Sequence, residues 1–494
     1  MNTLLIYPEY PDTFWSFKHA LKFISKRAVN PPLGLITIAS MLPDEWSTKL
    51  IDMNVDSLKT DDIQWADWVF VSAMNVQSQS AHAIIKQCKA FDKTIVAGGP
   101  LFTEEPEAFP EVDYLVMNEA EITLPRFLKD FLDGHPQSSY QTEEFANITK
   151  TPIPDYSLIN AKKYNTLVLQ YSRGCPYNCE FCDITALFGR KVRTKTTDQI
   201  IRELEEIYKM GWNGNVLFVD DNFIGNKKLL KNDLLPAIVD WSKTHDYPFS
   251  FTTEASINLS DDEELMELMI QAGFGNVFIG IETPETESLV ECGKTQNTHR
   301  DLLGSVHKIQ QKGLEVTGGF IVGFDNDTPS VFQKQVDFIR KSGIVTAMVG
   351  LLNAPRKTRL YERLKKEGRI LNDTSGNNTD YSMNFIPRMD KSKLMEGYNH
   401  LIQQLYEGRY YYSRVFDFIK RFNPKNSGIG KFSFRELIAF VRATFRLGIA
   451  DSYRRNYWHL VLWTLFNRPK MLSYAITYAV YGYHFRRVFN IDNK

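Results

Sequence analysis

The chain has 494 residues, enough for two or three domains around large buried cores. Hydrophobic residues make up 43% and charged residues 24%, an ordinary globular composition, and the formal net charge of -1 excludes a general nucleic-acid binder, whose phosphate contacts need a broadly basic surface. Five cysteines exclude a disulfide scaffold, and no uncharged apolar run reaches the roughly 18–20 residues that span a bilayer.

Met1-Asn2 leads directly into Thr3-Leu-Leu-Ile-Tyr7 with no secretion signal, so a cytoplasmic protein is expected. From there to about residue 140, short apolar runs alternate with helical patterns. Strands are predicted at Thr3–Tyr7, Thr48–Met53, Trp68–Ala73, Thr94–Ala97 and Tyr114–Met117, with helices at Leu33–Leu42 and Ser78–Phe91. That alternation implies an α/β, doubly wound parallel sheet, which binds ligands at the carboxyl ends of its strands. Ser72, Gly98-Gly99-Pro100 and Asn118-Glu119 fall at or just after strand ends and are candidates to line such a crevice. A turn needing positive φ explains the glycine pair equally well. Residues 141–165 read as a linker, because the stretch is polar and Pro152, Pro154 and Asp155 break regular structure.

Residues 166–372 again alternate. Strands are predicted at Thr166–Gln170, Asn215–Val219, Phe249–Thr253, Asn276–Ile281, Glu315–Val322 and Thr346–Leu352, with helices between them such as Thr197–Met210 and Asp261–Ala272. Six βα units are two short of a closed eight-fold barrel. After the first strand comes Arg173-Gly-Cys-Pro-Tyr-Asn-Cys-Glu-Phe-Cys-Asp183, with Cys175, Cys179 and Cys182 spaced by three and then two residues. A cubane iron–sulfur cluster is usually held by four thiolates. Three thiolates leave one iron open to a small molecule. Zinc is the competing reading, but structural zinc sites are closed and four-ligand, and neither His135 nor His245 falls at ligand spacing. Cys88 and Cys292 have no companion cysteine and read as packing residues. Arg173 and Gly189-Arg-Lys-Val-Arg193 flank the cysteines, either as charge that tunes the site or as a solvated loop.

Residues 373–494 read as helical and rich in aromatics. From Phe432 onward there are ten Lys/Arg against three acids, so the tail carries +7 and the rest of the chain -8. Trp458, Trp463, Tyr474, Tyr478, Tyr481 and Tyr483, edged by arginines, fit peripheral contact with an anionic membrane, or a helical cap packed on the barrel.

The cysteine run resembles the signature of radical S-adenosylmethionine (SAM) enzymes. That resemblance implies a partial (β/α)6 barrel, a 4Fe-4S cluster on Cys175, Cys179 and Cys182, and Phe181 beside the SAM adenine. It further implies Asp220, Asp221 and Asn222 near the SAM ammonium, Glu254 and Glu282 on the ribose, and Gly319, in Gly318-Gly-Phe-Ile-Val-Gly323, where backbone approaches the adenine. Asn30-Pro-Pro-Leu-Gly-Leu35, Ala97-Gly-Gly-Pro100 and Asn118-Glu-Ala-Glu121 resemble landmarks of the Rossmann-like cobalamin-binding domain that precedes many such barrels. Two departures stand out. The family commonly has glycines where Asn118 and Ala120 stand, and no D-x-H-x-x-G motif follows the first strand, which implies a lower cobalt face without a protein imidazole.

Nearly end to end, the chain resembles a subgroup of cobalamin-dependent radical SAM proteins that shares its C-terminal segment with hopanoid C-2 methylases. Phe188-Gly-Arg-Lys-Val-Arg-Thr-Lys195, Phe218-Val-Asp-Asp-Asn-Phe-Ile-Gly-Asn226 and Arg454-Arg-Asn-Tyr-Trp458 carry that likeness. It implies C-methylation of an apolar, lipid-like small molecule, with an electron donor such as ferredoxin or flavodoxin and no nucleic-acid partner. Radical chemistry without cobalamin (isomerisation, ring formation or C–C bond formation) is the alternative, followed by a non-catalytic iron–sulfur or zinc protein.

Overall fold

The computed structural model describes residues 1–425 and 434–491, the side chains of residues 434–437 excepted. Arg435, Glu436, Asp492 and Lys494, counted in the tail's charge, lie outside what is described.

Strands β1 (Asn2–Tyr7), β2 (Ser47–Asp52), β3 (Trp68–Ser72), β4 (Thr94–Gly98), β5 (Tyr114–Val116) and β6 (Ser139–Tyr140) form one parallel sheet in the order β2-β1-β3-β4-β5-β6. Helices cover both faces, so the strands are apolar on both sides rather than alternating. Leu4 and Ile6 pack with Ile84 and Ile85, while Leu5, Phe70 and Val96 pack with Leu124 and Phe127. Strand β6 carries no periodic signal in two residues and is absent from the sequence reading. It forms because Leu115 and Val116 pair with it, and the buried Tyr140 hydroxyl donates to Asp130 at 3.0 Å.

The segment read as a linker is a packed strap. Asn147, Asp155 and Asn160 each cap a short 3-10 turn. The Tyr156 hydroxyl donates to the Val168 carbonyl at 2.8 Å, and the Tyr164 hydroxyl to Asp52 at 2.9 Å. Those bonds fasten the strap to both sheets.

Strand β7 (Thr166–Leu169) opens the second sheet. Strands β8 (Ser172–Arg173) and β9 (Arg193–Thr194) form a small antiparallel ribbon, and β10 (Asn215–Phe218), β11 (Ser250–Glu254), β12 (Phe274–Glu282), β13 (Glu315–Val322) and β14 (Ala347–Leu351) complete six parallel strands in the order β14-β13-β12-β11-β10-β7. The sheet is the partial barrel expected. On β12, Val277, Ile279 and Ile281 are buried under helices. The alternate residues, including Phe278, therefore face the lumen.

A six-stranded barrel leaves β14 with unpaired carbonyls, an edge that must be satisfied. Here side chains replace a seventh strand. Tyr398 and Tyr406, on the helix Lys391–Tyr406, donate their hydroxyls to Val349 and Ala347 at 2.9 and 2.5 Å, and Arg414 donates to Val345 at 3.3 Å. Phe14 stacks on Phe485 at 4.3 Å and meets Tyr406 at 6.1 Å, while Trp15 meets Phe278 edge-on at 5.5 Å. The N-terminal segment and the helix Leu472–Val488 thus fill the seam from outside.

The tail aromatics are part of this packing rather than a surface. Tyr478 is buried, Trp458 donates to the Gly448 carbonyl at 2.9 Å, and Trp463 packs on Phe416 at 4.6 Å. Several arginines are likewise committed: Arg486 is buried and pairs with Asp451 at 2.5 Å, Arg442 donates to the Phe23 carbonyl, and Arg446 to the Tyr483 hydroxyl. No helix among the described residues is long and apolar enough to cross a membrane.

Glu315, at the start of β13, accepts a hydrogen bond from the Tyr478 hydroxyl. Burial pushes its carboxyl up to about 7. The unfolded chain ionises this group near 4.5, so the folded state loses stability as pH rises between those two values. Glu315→Gln should therefore match wild type in urea unfolding near pH 4 and gain on it steadily toward pH 8.

Candidate functional site

The cysteine loop is held on every side. Gly174, at φ +89°, lets the chain pass under a second loop: a Cβ there would lie 2.9 Å from both the Gly189 and Lys191 carbonyls. Glu180 is the anchor. Its amide donates to the Cys292 carbonyl at 2.7 Å, its carbonyl accepts from Leu360 at 2.9 Å, and its carboxylate takes Arg363 at 2.7 and 3.1 Å. Cys175, Cys179 and Cys182 are free thiols. Burial pushes each of them up, and Cys175 and Cys182 are raised further by Cys179 beside them. Three neighbouring thiols, Cys179 buried and the other two half-buried, ionise together only against a strong positive charge. A metal cluster supplies that charge, so the donor set fits it. Cys88 and Cys292 are buried packing residues, as expected.

The polar strand ends separate into different jobs. Asp220 does not face the mouth: its two oxygens accept from the Tyr171 amide at 3.1 Å and from the Ser172 amide and hydroxyl at 2.5 Å each. It clamps β10 to the turn after β7, and burial pushes it up to about 7. Asp221 accepts from the Gly174 amide at 3.0 Å and is pushed up to about 6, first by burial. Asn222 accepts from the Ser256 amide at 3.2 Å, holding the turn after β11. Glu254 stands open in the barrel mouth; withdrawal from bulk water and then Asp221 push it up to about 7. Glu282 sits at φ +65°, an uncommon conformation for a side-chain-bearing residue, and pairs with Lys294 at 2.5 Å.

Lys294 was not legible as a site residue. It follows Gly293 in a loop without a motif, yet its charge reaches both Cys179 and Cys182. Phe181 packs against the core, its ring 6.2 Å from that of the buried Phe324 just after β13. Gly319 lies deeper than expected, where a Cβ would strike the Phe278 ring at 2.7 Å.

Facing this mouth is a cleft at the carboxyl edge of the first sheet. Ser72, Gly98, Gly99, Pro100, Asn118 and Glu119 all line it, opposite Gln170, Arg173, Phe188 and Val219 of the barrel. Its floor is bare backbone: a Cβ on Gly98 would lie 2.5 Å from the Val116 carbonyl, and one on Gly99, at φ +89°, 2.6 Å from the Ser72 hydroxyl. Such a cradle fits the flat edge of a corrin. Among the described residues, no histidine lines it.

Glu119 turns away from ligand duty. It takes Arg193 with both oxygens, at 2.6 and 2.8 Å, and Arg173 at 3.4 Å. Glu121 takes Arg173 with both oxygens, at 2.8 and 3.0 Å; although burial alone would raise its carboxyl, Arg173 holds it below the usual range. Arg173 and Arg193 are therefore neutralised, whereas Arg190 and Lys191 of the same run are exposed, so the flanking basic residues divide between paired charge and solvated loop. Asn118, at φ +63°, occupies the left-handed region that glycine favours and asparagine tolerates, which accounts for the departure from glycine there.

Comparisons with known proteins agree with this geometry. Residues 169–339 match the Radical SAM superfamily, residues 25–128 the B12 binding domain, and residues 358–494 a domain of unknown function. An uncharacterized methyltransferase of Synechocystis sp. is 40% identical over 98% of this chain and 91% of its own length. The hopanoid C-2 methylase of Rhodopseudomonas palustris is 35% identical over 93% of this chain and 88% of its own. The chain belongs to the cobalamin-dependent radical SAM methyltransferases. Its cofactors are those of the family: a 4Fe-4S cluster, SAM and cobalamin. Members act on small molecules and need a reductant. The methyltransferase also shares its fold, at TM-score 0.63 and 13% identity over the whole of both chains, with the radical SAM methyltransferase TsrM of Kitasatospora setae, solved with cobalamin and a [4Fe-4S] cluster bound.

Removing one arginine from the Glu119–Glu121 pairing leaves a buried carboxylate uncompensated, a loss of about 3–5 kcal/mol. Arg193→Met should lower the thermal unfolding midpoint and the corrin retained after desalting. Arg190→Met, on the exposed side of the same loop, should change neither.

Proposed function

We propose that this enzyme methylates an unactivated carbon of an apolar, lipid-like substrate, with SAM cleaved at the open iron of a cluster on Cys175, Cys179 and Cys182. The observation that carries the reading is the shared cleft: residues from the carboxyl edges of both sheets line one space, and Arg173, Leu187 and Phe188 from either side of the cysteine run are among them. Held by Cys175, Cys179 and Cys182, the cluster would supply the electron for reductive cleavage of SAM, drawn from an external donor, and the corrin in the cleft would supply the methyl group.

The chain's own residues position and shield. Asp221 and Glu254 stand nearest the mouth with oxygens free for the SAM ammonium and ribose. Glu282, fixed by Lys294, offers its second oxygen, and the half-buried Phe181 walls the adenine side. Asp220 and Asn222 act at one remove, by fixing the turns that present these groups. A filled eight-stranded barrel buries its interior side chains. Here the inward residues Leu217, Phe278 and Met348 are only half-buried, and Trp15 beside Phe278 is exposed. That apolar lumen suits a hydrocarbon skeleton, consistent with the relative named a hopanoid methylase. We place the reaction in the reducing cytoplasm, with ferredoxin or flavodoxin as donor, and peripheral membrane contact through the C-terminal helices. The domain division we adopt is 1–140, 141–165, 166–372 and 373–494.

Anaerobic reconstitution with iron, sulfide and hydroxocobalamin tests this. Wild type should retain corrin absorbance, release 5′-deoxyadenosine from SAM under a reductant, and methylate an added hopanoid. Cys182→Ala should keep corrin but lose 5′-deoxyadenosine. Gly99→Val should lose corrin but keep cluster iron. A wild type that cleaves SAM without retaining corrin belongs instead to cobalamin-independent radical chemistry.

A further inference from the structure

We infer that one face of the C-terminal helical hairpin is a docking surface for an anionic lipid bilayer. The inference rests on the lipid-substrate reading above, and it names different residues from the aromatics the sequence points to. The helix Phe434–Ala443 continues through a wider turn to Ile449, and the helix Arg454–Asn467 follows after a short turn. The two pack through Trp458 on Gly448 and through a Thr444–Tyr457 hydroxyl bond at 3.1 Å. Their inward faces, Leu447, Tyr457 and Leu460, are buried.

The outward faces are also apolar, which a surface helix normally avoids. Val441, Phe445 and Ile449 on the first helix are 57%, 67% and 59% exposed, and Phe466 on the second is 80% exposed, with Leu462 beside it. Arg454 and Arg455 are exposed on the first turn of the second helix, and Lys470 just after its end. Apolar side chains with basic residues at the margin are the pattern of a helix lying in the headgroup region of an anionic membrane. Charge decides between occupants. Arg454, Arg455 and Lys470 make the margin of this face basic, so acidic lipid headgroups complement it, whereas a second copy docked by symmetry would oppose the same arginines. The basic end of this face adjoins a cavity of about 620 Å³ lined by Tyr381, Met395, Ile402, Tyr453 and Phe489, at the seam beside β14. Docking would thus hold a half-apolar opening close to the lipid.

The test is sedimentation of the full-length protein with vesicles of phosphatidylcholine alone and of equimolar phosphatidylcholine and phosphatidylglycerol. Wild type should partition onto the anionic vesicles roughly tenfold more strongly than onto neutral ones, and less in high salt. The double variant Phe445→Asp/Phe466→Asp should lose that binding by roughly tenfold or more while keeping the wild-type thermal midpoint. Arg454→Glu/Arg455→Glu should lose only the preference for anionic lipid. No partitioning of wild type, equal partitioning onto both vesicles, or a phenylalanine double variant that binds unchanged overturns the inference. A lipid-free dimer that this double variant converts to monomer also overturns it, since a second copy would then cover the face. Methyl transfer to a hopanoid presented in detergent reports separately on the earlier reading. Transfer without vesicle binding retires the docking surface alone; vesicle binding without transfer retires the substrate reading and leaves the surface standing.

Discussion

Four charges, Glu119 buried and the other three largely so, set the relation between the two halves of the site. Glu119 and Glu121 come from the turn after β5, Arg173 from β8 and Arg193 from β9, and each carboxylate is gripped by a guanidinium through two bonds. Buried charges cost several kcal/mol each unless they are paired and hydrogen-bonded. Here the set sums to zero, and Ala146 and Thr151 satisfy further lone pairs. The fork geometry of arginine admits few orientations, so the carboxyl edge of the first sheet is locked facing the cysteine loop. Remove that lock and the glycine floor at Gly98-Gly99 has no fixed opposite wall.

The second constraint is an incomplete barrel. Six strands leave an edge and a seam, and the chain answers with tyrosine hydroxyls on β14 and aromatic stacking from both termini. The seam is closed by side chains rather than by further strands, and Trp15 among them rests on the lumen-facing Phe278.

Much of this was legible in the sequence. The strands that carry the site fall within about a residue of their predicted positions, since each is a short apolar run bounded by turn residues. The cysteine spacing identified its loop outright. What stayed hidden is long-range. The arginine partners of Glu119 and Glu121 lie more than fifty residues away, so Glu119 read as crevice lining, which it is, with no sign of the ion pairs that hold it. Asp220 and Asp221 are neighbours in sequence and both accept backbone amides from the chain just after β7, contacts that no local pattern announces. Lys294 had no motif to mark it. The tail aromatics left two readings open, a helical cap or a membrane face, because Tyr and Trp suit both equally well. The packing, which sequence does not supply, buries Tyr478, half-buries the other five and leaves Phe445 and Phe466 outside.

The central claim is an iron–sulfur cube held by three thiols, with its fourth corner free for SAM. Electron paramagnetic resonance of the reduced, reconstituted enzyme, recorded with and without SAM, addresses it most directly. A cluster signal that changes shape and g values when SAM is added is the expected result. A signal indifferent to SAM, or metal analysis that returns a single zinc, would contradict the account.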